Sequence, residues 1–178
     1  TKEVLKVARA ENPEAIVGYR ISPEEIHGEM VGYDLDDSLK LIDKLLEQDL
    51  DFLDLSSAAG GNFGKDAYKA MPQRGDFTEP VSLVIKKFVA GRVPVVISGT
   101  IRSADDALDA LNYGDVASMG VAALSDPDFK EKILADKEET IHMNVKGHTE
   151  DLELPSGLIE VYTAGIGLPQ VEGLIKKE

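Results

Sequence analysis

The sequence predicts a parallel α/β fold, a (β/α) half-barrel of four consecutive strand–helix units. Short β-branched or apolar runs end near Arg20, Ser56, Ser98 and Gly120. Each is followed by a helix-start signal or a helical pattern, and strands that alternate with helices in this way build parallel sheets. Four units make half of an eight-stranded barrel, which needs about 250 residues in full. The 178 residues here suffice for one domain with a substantial core. A small open sheet with helices on both faces is the alternative, although a flavodoxin-like sheet would want five strands.

Val4, Leu5, Val7 and Ala8 make a helical stripe at the start, which Asn12-Pro13 ends. Ala15 to Arg20 reads as the first strand. Arg20 stands at its carboxyl end, where barrel enzymes place functional side chains; a surface arginine is the plainer alternative. Ser22-Pro-Glu-Glu25 has the form of a helix start, with Ser as N-cap and Pro at the first position. Gly28 and Gly32 cut that helix short and leave His27 on a loop. Asp36-Asp37-Ser38 then opens a long amphipathic helix to about Gln48, with Leu39, Ile42, Leu45 and Leu46 on one face.

Phe52 to Ser56 is the second strand, with Ser56 and Ser57 at its carboxyl end. Ala58 to Thr78 is irregular and holds Gly60, Gly61, Gly64, Pro72 and Gly75, the composition of a functional loop or lid. Tyr68, Arg74 and Phe77 in it either touch a ligand or cover the core. Val81, Val84, Ile85 and Phe88 form the next helix face, stopped at Gly91.

The third strand, Val93 to Ile97, is a β-branched run covered on both faces, and it stops at Ser98-Gly99. Gly99 allows a sharp turn and close approach to a ligand. Ser103 is the N-cap candidate for a helix over Ala104–Asn112, with Asp105 and Asp106 in its first turn. The fourth strand ends at Met119-Gly120. Two neighbouring strand ends that each carry a glycine free backbone N–H groups for an anion, most often phosphate. Two ordinary βα turns needing glycine for geometry would look the same. Asp126-Pro-Asp-Phe129 begins a further helix. In the tail, Leu154-Pro-Ser-Gly157 reads as a turn and Leu158 to Tyr162 as a strand or a surface excursion, with Gly165, Gly167 and Pro169 as loop punctuation. Residues 1–137 are therefore expected to form the half-barrel, and 138–178 an extension packed on it.

Hydrophobic residues make up 43% and charged residues 29%, ordinary values for a globular protein. A net charge of −14 argues against nucleic acid and anionic membrane surfaces as partners, both of which need basic patches. Cysteine is absent, which removes disulfides, zinc thiolates and catalytic thiols and agrees with a cytoplasmic protein. His142 and His148 have no partner carboxylate at metal spacing, so no metal site is expected. The first residue is Thr, and the chain reads as a processed product or a piece of something longer.

The residues also resemble a known family. Val17-Gly-Tyr-Arg-Ile-Ser-Pro-Glu-Glu25 is similar to the fifth-strand segment of the old yellow enzyme family, the NADH:flavin oxidoreductases. Leu50 to Ser57 resembles its sixth strand and Pro94 to Ile101 its seventh. Val116-Ala-Ser-Met-Gly-Val-Ala-Ala-Leu-Ser-Asp-Pro-Asp-Phe129 resembles its eighth strand and the helix after it. The likeness runs in order over Thr1 to Leu134, and it implies strands five to eight of an FMN-binding TIM (β/α)8 barrel. Such an enzyme takes hydride from NAD(P)H and passes it to a small-molecule acceptor, often an activated alkene. The resemblance puts Arg20 beside the flavin N1 and O2 atoms, where a cation stabilises the negative charge of reduced flavin. It makes Gly99, Thr100, Gly120 and Val121 backbone donors to the FMN phosphate. The family usually has arginine where this chain has Val121, so one charge-assisted contact is lost and weaker FMN binding is implied.

Counterparts of the first four strands, which carry the paired substrate-binding His/His or His/Asn, are missing. No catalytic residue is therefore assigned here, and the fragment alone is expected to be inactive and to bind FMN weakly or not at all. The alternative is a non-catalytic half-barrel that binds a phosphorylated ligand or a partner. A half-barrel also has two open strand edges, ending at Arg20 and at Gly120, so a homo-oligomer is expected, or else an edge covered by the tail after Glu138.

Overall fold

A computed structural model describes residues 1–56, 66–164 and 171–174. The chain divides into two compact units: Thr1–Thr100 with Leu108–Ser118, and Ile101–Ala107 with Met119–Glu178.

The first unit is built on a four-stranded sheet. Its strands are β1 (Gly18–Ile21), β4 (Phe52–Leu55), β5 (Val95–Ser98) and β6 (Val116–Ser118). They lie in the order β1-β4-β5-β6, and every pairing is parallel. The register aligns Arg20 with Asp54, Asp54 with Val96, and Val96 with Val116. One face of this sheet is apolar and covered: Ile21, Leu53, Leu55, Val95 and Ile97 are all buried. Helices α2 (Leu35–Leu46) and α3 (Val81–Val89) supply the matching buried side chains Leu35, Ile42, Leu45, Ile85 and Val89. Helix α1 (Lys2–Glu11) adds Leu5, which packs with Leu45, Leu50, Val17 and Tyr19.

Carboxylates tie down the amino ends of the strands. Asp51 accepts from Val17 N–H at 2.6 Å and from Arg9 at 2.7 Å. The backbone donation, followed by the guanidinium, holds its carboxyl below the ordinary range. Asp115 likewise accepts from Val95 N–H at 2.9 Å and pairs with Lys86 at 3.3 Å.

Two sequence expectations change in this unit, and one open alternative is decided. Ser22 to Glu25 starts no helix. Glu25 opens β2 (Glu25–His27), which pairs antiparallel with β3 (Met30–Tyr33) through a two-residue turn at Gly28-Glu29. Gly28 takes φ +62, a conformation that favours glycine and fixes a hairpin turn. The carbonyls that would have begun a helix are engaged elsewhere: Ser22 by the Tyr33 hydroxyl and Pro23 by the Ser38 hydroxyl. The long helix is capped by Asp34, whose side chain accepts from Asp37 N–H, and not by the Asp36-Asp37-Ser38 run. Tyr68 is buried in a single 3-10 turn, Ala67–Lys69, where its hydroxyl donates to Asp109 at 2.8 Å. Of the two alternatives left open for Tyr68, it covers the core. Ser57 and the glycines at 60, 61 and 64 lie outside the described residues.

Helix α4 (Ala104–Ala110) spans the division between the units and ends two residues earlier than its sequence pattern suggests. Ser103 caps it as expected, accepting from Asp106 N–H at 3.0 Å. The second unit continues with α5 (Val121–Ser125), α6 (Phe129–Leu134) and α7 (Ser156–Thr163). The segment Leu158 to Tyr162 is therefore helical, neither a strand nor an excursion. Pro155 sits just before the first turn, where a missing N–H costs nothing. Ile159 and Tyr162, three apart on one helix face, pack on the Val145–Val171–Leu174 cluster. Gly165, Gly167 and Pro169 lie outside the described residues.

Candidate functional site

The four-stranded sheet has a second face, and its residues differ in kind from those of the covered one. Strand side chains alternate, so the residues between Leu53, Leu55, Val95 and Ile97 point the other way. They are Arg20, Asp54, Val96 and Val116 on one rung and Ser56, Ser98 and Ser118 on the next toward the carboxyl ends. None of these seven is buried. A polar rung at the carboxyl end of a parallel sheet is where ligands of this architecture are bound.

Arg20 is held at two points. Its Nη1 lies 3.2 Å from Asp54 Oδ2 and its Nη2 lies 3.4 Å from Ser56 Oγ. The arginine side chain is 62% exposed and the Asp54 side chain only 17%. The other oxygen of that carboxylate, Oδ1, is buried and has no hydrogen-bond partner among the described residues. Ser98 donates to the Leu55 carbonyl at 3.3 Å, so its hydroxyl bridges β5 and β4.

Gly99 follows β5 with φ +150, and Thr100 follows with φ +46. An added Cβ at Gly99 would come within 3.0 Å of Ala67 Cβ and of the Tyr68 backbone nitrogen. The close approach that this glycine permits is thus made first by the chain's own 3-10 turn. Consecutive residues with positive φ mark a strained turn, of a kind that clusters at binding sites.

In the second unit Gly120 is exposed, and an added Cβ there would meet nothing within 4 Å among the described residues. The fold places no demand for glycine at that position. Val121 begins α5 beside it. At the start of α4 two backbone donors are already taken: Glu138 accepts from Ala104 N–H at 2.8 Å and Ser103 from Asp106 N–H.

Sequence reasoning singled out Arg20 and passed over Asp54 and the serine rung. The signal was present in Phe52-Leu-Asp-Leu-Ser56, where Asp54 and Ser56 alternate with the two buried leucines. Among the described residues no group of three or more His, Asp or Glu side chains is placed to hold a metal ion. No helix among them is long and apolar enough to cross a membrane.

No family model matches the chain. Individual proteins do. It is 30% identical over 145 residues to an uncharacterised oxidoreductase of Streptococcus pyogenes, covering 80% of this chain and 36% of that protein. It is 32% identical over 145 residues to a probable NADH-dependent flavin oxidoreductase of Bacillus subtilis, covering 80% of this chain and 37% of the relative. An NADH:fumarate oxidoreductase of Klebsiella pneumoniae is 32% identical over 161 residues, 86% of this chain and 16% of that one. The chain spans less than two fifths of the length of these relatives. Among solved structures, histamine dehydrogenase from Rhizobium sp. 4-9 matches with a TM-score of 0.57 at 20% identity, over 79% of this chain and 20% of that one. That likeness identifies the fold as part of a (β/α) barrel. The resemblance read from the strand ends and the named relatives thus point to the same group of proteins.

Proposed function

We propose that this chain, related to NADH-dependent flavin oxidoreductases over four fifths of its length, is the FMN-binding carboxyl-terminal part of such an enzyme. The whole protein would take hydride from NAD(P)H and reduce a small-molecule acceptor such as an activated alkene. The observation that carries this reading is Arg20, exposed at the carboxyl end of β1 and held by Asp54 and Ser56 on the open sheet face.

The residues fit a flavin. An exposed guanidinium suits the pyrimidine side of the ring, where negative charge grows on reduction. A row of serine hydroxyls at the carboxyl end of the sheet suits its polar edge. Bound flavin supplies the two-electron chemistry; this chain supplies cation, donors and acceptor at fixed positions. Backbone N–H groups at Gly99 and Thr100 are proposed as phosphate donors. For Gly120 and Val121 the resemblance implies the same role, and the open space around Gly120 is compatible with it. Replacement of the family's arginine by Val121 leaves the phosphate without one charged partner, so FMN should be held less tightly than with that arginine.

The test is spectroscopic. The full-length protein carrying this sequence should purify with flavin absorption bands, and the released cofactor should have the mass of FMN. Its Arg20→Ala variant should lose more in the rate of flavin reduction than in flavin affinity, because the charge that Arg20 meets appears mainly on reduction. A colourless protein that takes up no added FMN would refute the proposal.

A further inference from the structure

Resting on the flavin reading above, we propose that Asp54 is the positioning residue for Arg20, fixing the guanidinium on the open sheet face in the orientation in which it meets the flavin. Arg20 and Asp54 are register partners on adjacent strands, with Nη1 and Oδ2 3.2 Å apart. Arginine is long and rich in rotamers; aspartate on a central strand is short and stiff. The carboxylate is therefore the fixed member of the pair, and with Ser56 on Nη2 it sets the plane of the guanidinium as well as its place.

Stability does not explain an acid at this position. An ion pair to a side chain that is 62% exposed contributes little to folding. Asp54 also carries a buried oxygen without a partner among the described residues, which is a desolvation cost. Its rung-mates Val96 and Val116 show that an apolar side chain is accommodated there. An orientation that matters to a bound ligand accounts for the choice.

Two readouts in the full-length protein test this, using Asp54→Asn, Asp54→Ala, Arg20→Gln and the Arg20→Gln/Asp54→Ala double variant, each checked for native circular dichroism. The isosteric Asp54→Asn keeps the test alive if the alanine variant does not fold. Without flavin, phenylglyoxal modification of Arg20, followed by peptide mass spectrometry, should run about three to five times faster in Asp54→Asn, the release expected of an exposed ion pair. With FMN, the measured quantity is how much more tightly reduced flavin binds than oxidised flavin. Arg20→Gln should lower that ratio about tenfold in the native background but less than about threefold where Asp54 is already alanine, the non-additivity of groups that act together. Flavin bound with unchanged Arg20 reactivity, or with strictly additive effects, overturns the positioning role and leaves the flavin reading standing. A full-length protein that binds no flavin overturns that reading, and the purpose assigned to the pair falls with it.

Discussion

Asp126 offers the sharpest test of how the second unit is held together. It is 4% exposed, follows α5 and accepts from Lys132 Nζ at 2.6 Å and from His142 N–H at 2.9 Å, with a further backbone donation from Asp128. Burial pushes its carboxyl upward, but the Lys132 and backbone donors outweigh that push and hold it below the usual carboxylate range. Asp126→Ala removes all three acceptor contacts. Lys132 keeps the Thr140 carbonyl at 3.1 Å and is 24% exposed, so its ammonium is not stranded. The loss should then sit near the lower end of the range for a broken buried pair, about 3 kcal/mol. Asp126→Asn keeps a neutral acceptor and should cost roughly half of that, about 1.5 kcal/mol. Native-state hydrogen exchange reads both at the α6 amides, for example Ala135 N–H, which bonds to the Glu131 carbonyl. Acceleration of about 100-fold is expected for alanine and about tenfold for asparagine, at 1.4 kcal/mol per decade. The folded carboxyl titrates below the unfolded one, so this stability is complete above the unfolded value near 3.8 and is lost as pH falls through the depressed value. Protection corrected for intrinsic rates should therefore drop in acid in the wild type and stay flat in the asparagine variant. Acceleration under threefold for Asp126→Ala would refute the reasoning.

Gly99→Ala should destabilise the first unit by about 1–3 kcal/mol, from a φ of +150 and contacts at 3.0 Å to Ala67 and Tyr68, and the thermal unfolding midpoint will read it. Glu24, 3% exposed with both carboxylate oxygens on Gln73 N–H, ties the chain before the β2–β3 hairpin to the segment after the 3-10 turn. Glu24→Ala should raise exchange at the Gln73 amide at least about tenfold, the cost of one orphaned donor, and an unchanged rate would deny the tie. The edges β1 and β6 each have a sheet neighbour on one side only among the described residues, so this chain expressed alone should associate in light scattering, edge pairing being the remedy for bare strands. A monomer at high micromolar concentration with unprotected edge amides would end that expectation.

The parallel sheet was legible because its strands announce themselves twice. Leu53, Leu55, Val95 and Ile97 are apolar enough to mark strands, and each run stops at a residue that turns. The β2–β3 hairpin was not legible, since Ser-Pro-Glu-Glu satisfies every local rule for a helix start. What decides against it is tertiary: the Tyr33 and Ser38 hydroxyls claim the carbonyls of Ser22 and Pro23. Helix α7 failed in the opposite direction. Leu-Ile-Glu-Val-Tyr is β-rich in composition, but the cluster around Val145 and Val171 needs residues three apart on one side, which only a helix supplies.

The candidate site was half legible for the same physical reason. A lone arginine at a strand end can be noticed, because charge at such a place is unusual. The alternation in Phe52 to Ser56 marks Asp54 as facing away from the core, but not whom it meets, because an aspartate 34 positions away becomes a neighbour of Arg20 only once β1 and β4 pair in register. Read alone, Asp54 sits between two buried leucines and passes for strand interior. Read across the sheet, it lies on the face that carries Arg20 and the serines, the face without the apolar core. A parallel sheet with one apolar, buried face and a second face that mixes valine with arginine, aspartate and serine is unusual, since parallel strands are ordinarily apolar on both sides. The arginine on that second face, held by an aspartate and a serine, is the feature on which the flavin reading proposed above rests.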